Sequence, residues 1–124
     1  MKNFAWILVA FVVTTGYYSC TKDKAAQPVS ANCVGIDSNN TYNLRIKTII
    51  DGNCAYVGCH DATYASGGVV MQDYTGTKSA FTNKNALCTI KQDGNCLAMP
   101  QGSDKLADSL ITYIQCWSEN GYAQ

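Results

Sequence analysis

Seven cysteines and a single histidine constrain this chain of 124 residues more than any other feature. The histidine directly follows a cysteine in Asn53-Cys54-Ala55-Tyr56-Val57-Gly58-Cys59-His60. Cys20 stands near the N-terminus. The other six, Cys33, Cys54, Cys59, Cys88, Cys96 and Cys116, form an even set. An even set in an exported protein reads as a three-disulfide framework. It reads equally as two disulfides plus two cysteines that hold a cofactor. Parity does not separate the two, so compartment and spacing must.

The N-terminus addresses compartment. Met1-Lys2-Asn3 carries one positive side chain, and residues 4–13 are all apolar. That run is too short to span a bilayer, which takes about 20 residues. It has the length of a signal-peptide core. Ser19-Cys20 follows and resembles the end of a bacterial lipoprotein signal, with Tyr17 in place of the usual aliphatic residue. The resemblance implies a signal peptide over 1–19 and an acylated Cys20 as the new first residue. It implies a lipid anchor on the periplasmic side or the outer surface of the cell envelope. An ordinary secretory signal is the alternative; either way the chain is exported to where disulfides form.

Residues 20–32 are polar after Cys20, include Pro28 and show no periodicity, so they read as a tether. Residues 33–124 read as one small domain with limited core, which calls for staples or a bound cofactor. It has six Lys or Arg against eight Asp or Glu, and no basic run that would serve nucleic acid.

Two helices are predicted. Tyr42, Ile46, Ile49 and Ile50 repeat at helical spacing, with Asn40 or Thr41 as cap and Asp51-Gly52-Asn53 as stop. The β-branched isoleucines also permit a strand. Leu106, Leu110, Tyr113, Ile114 and Trp117 form an apolar stripe, with Ser103 as expected N-cap, Asp104 in the first turn and Gly121 as terminator. A weaker helix is expected over Thr77–Leu87, capped from Asp73. The expected class is all-α with long loops.

The segment Cys54–His60 has the order of the c-type haem attachment motif, C-x-x-C-H, with four residues between the cysteines instead of two. In that motif two thiols add across the porphyrin vinyl groups, and the adjacent histidine lies under the iron. Around it stand Ile49-Ile50, Gly67-Gly68-Val69-Val70, Asp73-Tyr74, Met99-Pro100 and Trp117 to Gly121. In this order, from about Ile46 to Gly121, the chain resembles the single-haem cytochrome c-like domains of exported bacterial proteins. The x4 spacing and Cys33, Cys88, Cys96 and Cys116 depart from the simplest member.

The resemblance implies one covalent haem c, with Cys54 and Cys59 as thioethers, His60 as proximal ligand and Met99 as distal ligand. Met99 is a soft ligand that raises the potential. The rival, Met71, falls in the segment expected to wall the pocket. The implied function is electron transfer by transient contact with a redox partner protein rather than catalysis. Four cysteines permit three pairings. Cys88–Cys96 would close a short polar loop just before Met99. Cys33–Cys116 would then join the chain ends, since terminal helices pack together in this fold. Two other classes stay open: a haem-free disulfide-stapled lipoprotein that binds a protein or glycan, and a five-coordinate haem protein that binds small gases or peroxide.

Overall fold

A computed structural model describes residues 33–124. The signal peptide expected at 1–19, the lipidation expected at Cys20 and the tether expected at 20–32 lie outside the described residues. Among the described residues the chain is helical with no strand. No described helix is long and apolar enough to cross a membrane.

The first helix opens with a wide π-turn, Tyr42–Ile46, and continues as α1, Lys47–Asn53. Neither expected cap acts through its side chain. Thr41 is the N-cap residue but makes no side-chain cap bond. Asn40 is buried and donates from Nδ2 to the Tyr113 carbonyl at 2.9 Å, tying the helix start to the C-terminal helix instead. The Tyr42 N–H donates to the Ala123 carbonyl at 2.8 Å, so the chain end caps this helix from outside. At the other end, the expected stop at Asp51-Gly52-Asn53 is overrun. Lys47 pairs with Asp51 one turn on, and Asn53 Nδ2 donates to the Ile49 carbonyl at 2.7 Å. These contacts carry the helix through Gly52 to the edge of Cys54.

The weak central helix is two helices. α2 spans Tyr74–Asn83, and Asp73 caps it as expected, its carboxylate accepting from the Gly76 N–H at 2.7 Å. α3 spans Ala86–Lys91. Asn85 separates them in a left-handed conformation, φ 56°, which asparagine tolerates better than most residues.

α4 spans Asp108–Glu119 with Ala107 as its N-cap, four residues later than the expected cap at Ser103. Leu106 is drawn into the core and Ala107 stays extended, ψ 138°, so the helix cannot begin before Asp108. Asp108 takes the first-turn place foreseen for Asp104 and pairs with Lys105 at 2.8 Å. Gly121 ends the helix with φ 80°, and the Tyr122 N–H closes back on the Trp117 carbonyl at 2.9 Å.

Trp117 centres the core. Its ring is fully buried among Tyr42, Tyr74, Phe81 and Tyr122, with centroids 4.9 to 6.5 Å away. Its indole N–H donates to the Ala123 carbonyl at 2.7 Å. Ile46, Ile50 and Ile114 are also fully buried, so the predicted faces of both terminal helices meet here. Two disulfides close the domain. Cys33–Cys116 joins its start to α4, and Cys88–Cys96 staples α3 to the loop after it, the pairing expected above.

One glycine is fixed by packing. A Cβ at Gly76 would collide with the Val70 carbonyl oxygen, which presses the first turn of α2 against the 69–72 segment. Alanine favours an exposed helix by about 1 kcal/mol over glycine. Gly76→Ala should still destabilise the domain, by about 1–3 kcal/mol, because main chain must shift. Denaturant unfolding of the variant checks this.

Candidate functional site

The chain leaves α1 at Cys54 and makes a short closed loop. The Cys59 N–H donates to the Tyr56 carbonyl and the His60 N–H to the Cys54 carbonyl, both at 3.1 Å. Gly58, φ 92°, supplies the left-handed step the loop needs. The longer spacing is therefore taken up as a bulge, with His60 hydrogen-bonded back to the first cysteine of the pair. Cys54 and Cys59 are free thiols, while the other four described cysteines are paired.

The next segment folds back over His60. A single turn at Ser66–Gly68 reverses the chain, and the Met71 N–H donates to the His60 carbonyl at 2.8 Å. This places the Val69 carbonyl oxygen 3.3 Å from His60 Nδ1. A carbonyl only accepts, so Nδ1 carries a proton, and in the neutral tautomer this leaves the lone pair on Nε2. A histidine held this way is oriented as metal-ligating histidines usually are. Sequence reasoning did not identify the Val69 carbonyl as the partner of His60, because a main-chain acceptor carries no signature in sequence.

Cys54, Cys59, His60, Met71 and Met99 line one cavity of about 550 Å³. Its size falls within the roughly 300–1,000 Å³ common for cofactor pockets. α2 and α3 contribute Ala80, Ala86 and Ile90 to its wall, and Leu106 closes it from the segment before α4. Tyr56 and Leu97 line it while remaining well exposed, at 45% and 66%.

Both methionines reach the cavity by different routes. Met71 is buried and belongs to the segment tied to His60. Met99 is half-buried and arrives on the loop after α3. Three tethers set that loop: the Cys88–Cys96 disulfide, the Met99 N–H donating to the Thr89 carbonyl at 3.1 Å, and Gln92 Nε2 donating to the Met99 carbonyl at 2.9 Å. Cys33 and Cys116 stand apart from the cavity and serve the fold. Sequence reasoning missed Tyr56, Leu97 and Lys84 as lining residues; no local pattern marks them.

No protein-family model, curated protein or solved structure matches the chain. The site must therefore be judged on its own chemistry. Among the described residues no three His, Cys, Asp or Glu side chains gather as a site for a bare metal ion. The donor set is two free thiols, an imidazole with Nε2 unengaged, and thioethers, in a mainly apolar chamber. These residues fit a haem: thiols for covalent attachment, imidazole and thioether for iron.

Burial, with Cys59 nearby adding to it, pushes the Cys54 thiol up to about 11. In the unfolded chain it titrates near 9.0. Between these values the unfolded chain holds fewer protons than the folded one, so stability falls as pH rises. The contribution is fully present below pH 9 and lost by about pH 11, a change of up to roughly 2–3 kcal/mol. Haem-free protein should thus show a melting temperature that drops between pH 9 and 11. Cys54→Ser should flatten that part of the profile.

Proposed function

We propose that the chain is an exported, lipid-anchored, mono-haem c-type electron carrier. The observation that carries this reading is convergence. Cys54, Cys59 and His60, 39 to 45 residues before Met99, line the same cavity with it, while the remaining described cysteines pair off as disulfides. A three-disulfide framework would instead spend Cys54 and Cys59 on each other.

In this reading Cys54 and Cys59 would hold haem c as thioethers, and His60 Nε2 and Met99 Sδ would be the ligands to its iron. When bound, the haem supplies a one-electron couple. The protein's part is to hold and tune it. Val69 fixes the imidazole tautomer and ring orientation through its carbonyl. The staple and the two hydrogen bonds at Met99 hold the thioether in place, so ligation costs little reorganisation. Ala80, Ala86, Ile90 and Leu106 exclude water and lower the local dielectric. Tyr56 and Leu97 give the cavity mouth an apolar, exposed rim suited to brief contact with a redox protein. Such encounters bury little area, under about 1,200 Å².

The test is a visible spectrum and redox titration of protein exported with haem-attachment machinery. A red protein with sharp visible bands, a reversible one-electron step and no spectral response to carbon monoxide supports the reading. A colourless protein sinks it in favour of the haem-free binding module. A strong gas-binding shift points to the five-coordinate alternative. For the anchor, Cys20→Ala should leave an unprocessed precursor or release soluble protein. Each acyl CH₂ contributes about 0.8 kcal/mol, so several chains hold a domain this size firmly. Membrane fractionation reads the outcome.

A further inference from the structure

The cavity is unevenly charged. Among the described residues lining it there is one cationic side chain, Lys84, and no carboxylate. Lys84 follows α2, its N–H donating to the Ala80 carbonyl at 3.1 Å, and the left-handed Asn85 then turns the chain into α3. On the cavity side Ala80 and Ala86 flank it, both buried and both small. Arg45, Lys47 and Lys105 each pair with an aspartate, and Lys78 lies over the Tyr74 and Tyr122 rings. Lys84 has no ion pair or side-chain hydrogen bond with any described residue, and it is the one of these that borders the cavity. An ammonium at the rim of a chamber without carboxylates favours a ligand with an apolar body and an anionic end.

We propose that Lys84 is the anion seat of the cavity and pairs with a carboxylate of the bound tetrapyrrole. This rests on the haem reading above and adds a contact that the attachment motif does not supply. A porphyrin joined through its vinyl edge presents its two carboxylates on another edge. Those carboxylates need a polar partner or water where they leave the apolar chamber. Lys84 provides a compact charge on a flexible stem that can follow them. It acts as a binding residue, selecting the orientation in which the carboxylate edge faces α2 and α3.

The test uses the full chain produced without attachment machinery, titrated with iron protoporphyrin IX and with its dimethyl ester. Both probes keep the iron and the apolar body; only the ester lacks the charges. The native chain should prefer the free acid by about two- to fivefold, the range of an exposed ion pair. Added salt should shrink that preference. Lys84→Arg should retain it, and Lys84→Gln should bind acid and ester equally while still binding both. A native chain with no preference, or a Lys84→Gln chain that keeps it, overturns the proposal and leaves the haem reading standing. A native chain that binds neither porphyrin overturns the haem reading and this proposal together.

Discussion

Met99→Ala is expected to lower the reduction potential of the haem-loaded protein by on the order of 0.1 V, a fraction of the ~0.8 V that axial ligation spans. A neutral, soft thioether favours reduced iron, so its loss favours the oxidised form. The weak near-infrared band of sulfur bound to iron(III) should disappear. The covalent haem should remain, because Cys54, Cys59 and His60 are untouched. Met71→Ala is the control, since Met71 lines the same cavity. Met71 is 4% exposed and packs in the core, so its truncation should cost about 2–5 kcal/mol and leave the band in place. The reverse pattern, with band and potential following Met71, would show that Met71 and not Met99 is the ligand. If neither substitution matters, His/Met ligation fails.

Trp117→Ala should bring the largest loss of stability. The side chain is fully buried and makes edge-on contacts with Tyr74, Phe81 and Tyr122. Removing a core tryptophan costs about 3–5 kcal/mol. It also takes a donor from the Ala123 carbonyl, the same carbonyl that accepts from the start of the first helix. One indole therefore couples the chain end, α4 and the π-turn. A domain of this size has only about 5–14 kcal/mol in total, so much of its stability is at stake. Urea unfolding should show a lower midpoint. The Cys33–Cys116 bridge should keep the variant from unfolding outright, since it joins the same two regions. An unchanged midpoint would mean that the aromatic cluster is not the core.

The faces of the terminal helices were legible because their spacing is regular: Tyr42, Ile46, Ile49, Ile50, Ile114 and Trp117 are all buried. Their ends were less so. Asp51-Gly52 reads as a stop, but the Asn53 side chain bridges it, a contact one turn away that no local rule encodes. Ser103 reads as a cap, but burial of Leu106 outweighs it and delays α4. The division of α2 from α3 turns on Asn85 adopting φ 56°, which asparagine permits without requiring. At the cavity, Cys54, Cys59, His60 and Met99 could be singled out from order and adjacency. Lys84 could not, because an exposed lysine after a helix is ordinary until the fold shows what lies beside it. The Val69 carbonyl was equally hidden, since main-chain acceptors carry no signature in sequence.

The most direct test of the central claim is the intact mass of the exported, mature protein after extraction with acid and organic solvent. The account predicts a mass that comprises the chain from an acylated Cys20 with both disulfides formed plus one haem, still attached, with Cys54 and Cys59 both in the haem-bearing peptide. Haem that extracts freely, or a native Cys54–Cys59 disulfide, would contradict it.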